Sequence, residues 1–279
     1  MQLGVNVPNF GPGTDPGVLR EWARVVEGLG FGVLMVSDHV VVTDDFAGRY
    51  PEPFYEPFTA LSWLAGLTTR VRLGTTVLIL PYRHPRLVAR MTANLHALSG
   101  GRLVLGVGAG WSPQEFAALD VPHADRGALT DACLEVLREP VDRAFTDGLP
   151  PVPVWVGGHS PAALRRTARY GDAWHPLRLT VPAMRAVLDT HRLPGFAPRI
   201  AFRLTTEPVD DPERPAGTGT LDQVLADLEE LRLLGADTIV LDPYHLDPEE
   251  TARPHQAWRA LTAVATQYPA HQAHREASP

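Results

Sequence analysis

The chain contains no lysine: all 25 basic residues among its 279 are arginine. A P-loop requires a lysine against the β- and γ-phosphates, and a protein kinase requires one paired with a helix glutamate. Pyridoxal enzymes and Schiff-base aldolases use a lysine amine as nucleophile. These four classes are excluded. Cysteine is nearly absent as well. The single thiol, Cys133, allows no disulfide within the chain and builds neither a cysteine-rich zinc site nor an iron–sulfur cluster. It falls in a helical run, Asp131 to Leu137, and reads as a small buried hydrophobe. Basic excess is also lacking: the formal net charge of −7 argues against nucleic acid as the main partner. There is no apolar run of about 18 residues, and no basic region precedes an apolar stretch at the N-terminus. Neither a membrane span nor a signal peptide is indicated, and a soluble, cytoplasmic protein is expected.

What the chain has is alternation. Short apolar, β-branched runs recur at Leu3–Val7, Gly32–Val36, Val71–Leu78, Leu103–Val107, Val154–Val156, Ala173–His175, Ile200–Leu204 and Thr238–Leu241, eight in all. Amphipathic stretches separate them: Pro16–Leu29, Pro57–Leu67, Pro85–Leu98, Gln114–Leu119 with Arg126–Leu137, Pro161–Tyr170, Val181–His191 and Leu221–Leu234. A last helix is predicted over Pro254–Gln267. Strands too apolar to face water, each followed by a helix, indicate a parallel sheet with helices outside. Eight such units match the (β/α)₈, or TIM, barrel in number and size, with a doubly wound open sheet as the alternative. Residues 1–268 are read as one barrel domain and 269–279 as a polar tail. Pro208–Gly219 reads as a loop.

In such a barrel the active site lies at the C-terminal strand ends. Polar and glycine residues collect there: Asn9 after the first strand, Asp38 and His39 after the second, Tyr82 and Arg83 after the third. The fourth strand ends in Gly106-Val-Gly-Ala-Gly-Trp111, the fifth in Gly157-Gly158-His159-Ser160, and the sixth in His175. His39, next to Asp38 at a strand mouth, is the leading candidate for proton transfer near neutral pH; the alternative is a structural histidine. The Gly157–Ser160 turn opens the helix that carries Arg165 and Arg166. Its glycines, capping serine and positive helix end make an anion site, with an ordinary capped turn as the alternative. Gly106 to Gly110 has GxGxG rather than GxGxxG spacing, so the dinucleotide reading is rejected in favour of close backbone approach to a flat ring. Asp38, His39, His175 and Asp242 are weighed as a converging metal set. No His-x-His lies on the first strand and no HExxH occurs, so no metal is expected.

Taken together, Ser37-Asp-His39, Val71 to Pro85, Leu98 to Trp111 and Glu115-Phe116 resemble the luciferase-like monooxygenase family. So do Pro153 to Gly158, Ser160 to Arg166 and Gly171 to Pro176. The branch they are most similar to is that of oxidoreductases using coenzyme F420, a deazaflavin, with FMN-dependent monooxygenases sharing the same barrel. The resemblance implies a non-proline cis peptide at Thr76–Val77 behind the cofactor ring. Asp38 and His39 would border the ring, with His39 as the proton-transfer residue. Gly108, Ala109 and Gly110 would line one side of the cofactor channel, and Gly157, Gly158, His159 and Ser160 would hold its phosphate. Asn9, Trp63, Tyr82, Arg83, Trp111 and His175 are candidate substrate-pocket residues, although Trp63 and Trp111 read equally well as core packing.

The expected function is hydride transfer between F420 and a small organic substrate. The alternatives are an FMN-dependent monooxygenase and a non-catalytic cofactor- or ligand-binding barrel. Barrels of this family commonly dimerise, so a homodimer is expected. The all-arginine, alanine- and proline-rich composition agrees with an actinobacterial genome, where deazaflavin is common. Two departures from the family pattern stand out. Trp111 occupies a position where related sugar-phosphate dehydrogenases carry a carboxylate, and residues 141–153 are shorter than the insertion usual in relatives.

Overall fold

The computed structural model describes residues 1–139 and 147–268. Eight parallel strands form one sheet: β1 Gln2–Asn6, β2 Val33–Val36, β3 Arg72–Ile79, β4 Leu103–Gly108, β5 Val154–Gly157, β6 Ala173–His175, β7 Arg199–Ala201 and β10 Thr238–Asp242. Their order is β6-β5-β4-β3-β2-β1-β10-β7. Parallel bridges Trp174–Phe196 and Leu177–Arg199 bring β6 against β7, so the sheet curls into a nearly closed (β/α)₈ barrel. The open-sheet alternative is thereby set aside.

The two faces of each strand are legible in the alternation. Val33 and Met35 of β2 point into the barrel beside Val104, Trp155, Ala173, Ala197 and Val240. Leu34 and Val36 point outward, into the layer between sheet and helices. Both sets are buried, which is why these strands read as continuous apolar runs. The helices outside start by a shared local device. A side chain accepts a hydrogen bond from the first turn and proline follows: Asp15 caps Pro16–Gly28, Glu56 caps Pro57–Ala65, and Ser160 caps Pro161–Tyr170. The missing proline N–H is one that the helix would leave unpaired in any case.

One predicted strand is two elements. Ile200–Leu204 breaks at Phe202: Arg199–Ala201 belongs to the barrel, while β8, Arg203–Leu204, pairs with β9, Thr218–Gly219, in a separate two-stranded sheet. Phe202 donates its amide to Asp242 O, and its carbonyl takes a bond from His245 Nε2 at 3.0 Å. The stretch read as the loop Pro208–Gly219 thus ends in strand β9. The tail 269–279 and residues 140–146, which take in the first part of the shortened segment, lie outside the described residues. Among the described residues, no helix is long and apolar enough to cross a membrane.

Candidate active site

A cavity of about 480 Å³ opens at the C-terminal ends of the strands, within the range of about 300–1,000 Å³ usual for small-molecule and cofactor sites. Its wall passes from Ser37, Asp38 and His39 after β2, across Thr76 and Val77 of β3, to Gly108–Trp111 after β4. It continues through Gly157–Ser160 after β5 to His175, Leu177 and Arg199.

His39 occupies one end. Its Nδ1 lies 2.7 Å from Glu115 Oε2, so Nδ1–H donates to the carboxylate. Nε2 is left without a protein partner among the described residues, on a ring that lines the cavity. Glu115 is fully buried and also accepts from Val40 N (2.7 Å), Val41 N (3.3 Å) and the Tyr82 hydroxyl (2.9 Å). Burial alone would raise its pKa, but the bonds and charge from His39, the Val40 amide and Tyr82 outweigh burial and hold the carboxyl below its ordinary range. The ring is further fixed by Phe46 at 4.2 Å and by Tyr50, Phe54 and Trp111 around it.

Asp38, adjacent in sequence, lines the same cavity but is not the hydrogen-bond partner of His39. Its carboxylate takes two bonds from Arg83 (2.7 and 2.8 Å) and one from the Ile79 amide (2.8 Å). It is the partner of Arg83, and Glu115 is the partner of His39.

The floor lies at the β3 bulge, where the register against β4 shifts between Thr75 and Leu78 and the Thr76–Val77 peptide is cis. Thr76 Oγ1 donates to His175 Nε2 at 2.8 Å, and His175 Nδ1 donates to Ala197 O. Both ring nitrogens are used, and burial lowers the His175 pKa to about 4. Arg199 donates to the Thr76 carbonyl and pairs with Asp242 at 2.9 and 3.1 Å. Asp242 is buried and also takes bonds from Arg178 (2.8 Å) and Asn6 (3.0 Å). Burial acts to raise its pKa, yet the Arg199 and Arg178 charges keep it low.

At the other end, Ser160 Oγ accepts from Ala163 N at 3.2 Å, which opens the helix Pro161–Tyr170. Gly158 has φ +98°, a conformation that favours glycine. The amides of His159 and Ser160 have no protein acceptor among the described residues. Gly108 and Gly157 have a packing reason. A Cβ on either would lie 2.6 or 2.9 Å from a Val77 methyl, so Val77 projects between β4 and β5 only because both strands carry glycine there.

The predicted cofactor residues Asp38, His39, Thr76, Val77, Gly108, Ala109, Gly110, Gly157, Gly158, His159 and Ser160 all border this cavity, as do Trp111 and His175. Four of the pocket candidates do not. Asn9 is buried and clamps backbone, donating to Ser37 O (3.0 Å) and Tyr55 O (2.6 Å) and accepting from Ser37 N (3.0 Å). Trp63 lies on the helix Pro57–Ala65, 37% exposed, with Arg20 over its ring at 5.7 Å. Tyr82 is turned to Glu115. Arg83 is held by Asp38 and Glu56. The residues that sequence reasoning did not assign to the site are Glu115, Tyr50, Leu177 and Arg199. For Glu115 a signal existed: Ser112-Pro-Gln-Glu115 has capping-box spacing. Ser112 does cap the helix at 3.1 Å, but Glu115 reaches to His39 instead of back to the cap. Among the described residues no cluster of three or more His, Cys, Asp or Glu is placed to hold a metal.

Comparison with known proteins agrees with this architecture. Curated relatives include an uncharacterized protein of Mycobacterium tuberculosis, 34% identical over 180 residues, covering 54% of this chain and 62% of that one. The chain therefore spans less than two thirds of that relative's length. A phthiodiolone/phenolphthiodiolone dimycocerosates ketoreductase of the same organism is 36% identical over 151 residues, 46% of this chain and 39% of the relative. Among solved structures, a monooxygenase from Streptomyces bottropensis superposes with a TM-score of 0.72 at 21% identity, covering 98% of this chain and 100% of that one. An F420-dependent secondary alcohol dehydrogenase in complex with an F420–acetone adduct gives 0.73 at 17% identity, covering 97% and 98%. The FMN complex of a 3,6-diketocamphane monooxygenase from Pseudomonas putida gives 0.70 at 14%, covering 96% and 98%. These structural likenesses show the fold alone. The family profile is more specific, matching residues 1–193, and by it the chain belongs to the luciferase-like monooxygenase family.

Proposed function

We propose that this protein is an oxidoreductase that transfers a hydride between coenzyme F420 and a small organic substrate. The observation that carries the reading is one arrangement: the His39–Glu115 pair faces a capped helix N-terminus across an apolar floor at Val77. The residues fit a flat, phosphate-bearing cofactor. Val77, with glycine on both neighbouring strands, offers an apolar surface for a ring. The free His159 and Ser160 amides and the positive helix end suit a phosphate without any lysine. When bound, the deazaflavin supplies or accepts the hydride. His39, with Nδ1–H fixed by Glu115, presents Nε2 to the cavity to give a proton to, or take one from, the substrate. The buried Glu115 carboxylate fixes the tautomer and orientation of the ring. The F420-bound alcohol dehydrogenase and the mycobacterial ketoreductase support a carbonyl–alcohol pair as substrate and product.

Fluorescence titration of the purified protein with F420 and, separately, with FMN tests the proposal. Saturable F420 binding that is weakened by Gly158→Ala is expected. Tight FMN binding with oxygen consumption would support the FMN-dependent monooxygenase reading instead, and binding of neither would overturn both.

A further inference from the structure

The mouth of the cavity at the His39 end is lined by aromatic and aliphatic side chains. Trp111 follows Gly110, whose φ of +76° turns the chain there, and the residue is 47% exposed while lining the cavity. It stands edge-on to His39 at 6.0 Å, with Arg49 over the ring at 5.4 Å. Leu177, in the segment after β6, is 42% exposed and lines the same cavity, as does Tyr50. Large apolar side chains at a concave mouth mark a binding surface when they are grouped.

Every ionic side chain of the lining already has its counter-charge. Asp38 is taken by Arg83, Arg199 by Asp242, and Arg166 by Asp131 at 2.6 Å. A charged substrate would therefore lose its hydration and find no unpaired counter-ion among the lining side chains. An uncharged one loses little and covers the exposed rings.

We infer that the substrate is an uncharged carbonyl compound or alcohol with an aromatic or branched apolar body. Its oxygen lies at His39 Nε2 and its body packs between Trp111 and Leu177, with Trp111 setting the preference. The inference rests on the proposed reaction for the position of the oxygen, and its test is separable from the cofactor question.

Isothermal titration calorimetry on the full chain, with and without F420, compares 4-phenylbutan-2-one with 4-oxopentanoate, a ketone bearing a carboxylate. The phenyl ketone is expected to bind at least about tenfold more tightly. Trp111→Ala should weaken it by about tenfold or more and Trp111→Phe should restore most of the affinity. Trp63→Ala, a tryptophan outside the cavity, should leave the ketone affinity unchanged. F420 affinity, read separately by fluorescence, should change little in Trp111→Ala. Loss of F420 binding with the Trp111-dependent ketone preference intact would remove the cofactor assignment and leave the substrate class standing. Equal binding of the carboxylate, no binding of the phenyl ketone, or an affinity indifferent to Trp111→Ala would overturn the inference.

Discussion

Glu115 carries a negative charge at a fully buried position because four donors converge on it, from His39, Val40, Val41 and Tyr82. Replacing it with glutamine keeps the shape and removes the charge. Glu115→Gln should lower kcat by about 10- to 100-fold, as expected for a side chain that fixes a histidine. F420 affinity should stay within a few-fold, and steady-state kinetics beside a binding titration check the split. His175 gives a second prediction. The unfolded chain takes up a proton there below pH 6.5, whereas the native ring resists protonation down to about pH 4. Between those values the unfolded state binds more protons, so stability falls with acidification, by roughly 3 kcal/mol across the window. His175→Gln, which does not titrate, should flatten that part of the pH dependence in urea denaturation measured at several pH values. At this scale the sequence revealed which residues stand at strand ends but not which pairs form. His39 and Glu115 are 76 positions apart, and Asp38 is nearer in the chain yet belongs to Arg83. Asn9 is ambiguous for the same reason: a polar residue after a strand suits a pocket as well as a backbone clamp, and only tertiary packing decides.

Val77 and its two glycine neighbours show how elements shape the floor together. A methyl on Gly108 would sit 2.6 Å from Val77 Cγ2, so Gly108→Ala should destabilise the protein by about 1–3 kcal/mol. Val77→Ala removes the obstructing methyl. In a double-mutant cycle by chemical denaturation, the pair should therefore be less destabilised than the sum of the two, by about 0.5–3 kcal/mol. Additivity would mean that Val77 does not set the need for glycine. Elements were the most legible level of this chain. Barrel strands show as apolar runs because both faces are covered, and several helices announce themselves by a capping side chain followed by proline. Ile200–Leu204 reads as one strand because a single apolar run has no internal mark where the chain leaves one sheet for another. That break depends on what Phe202 bonds across space.

For the molecule as a whole, Asp242 is the tie. It lies at the end of β10 and joins Asn6 of β1, Arg199 of β7 and Arg178 from the segment after β6, while Arg199 reaches on to Thr76 of β3. These contacts span the seam where β6 and β7 meet by bridges alone. Asp242→Leu would leave two buried or half-buried guanidinium groups unpaired and should cost about 3–5 kcal/mol of stability, measured by denaturant unfolding. Sequence alternation predicts the strands of such a barrel, but closure and this polar seam arise from residues up to 236 positions apart. The proposed reaction takes place at the barrel's mouth, with His39 moving the proton. Its most direct test is His39→Ala, with turnover and F420 affinity measured side by side. A fall in kcat of about 100-fold or more with F420 affinity nearly unchanged is predicted; turnover equal to that of the unaltered protein would contradict it.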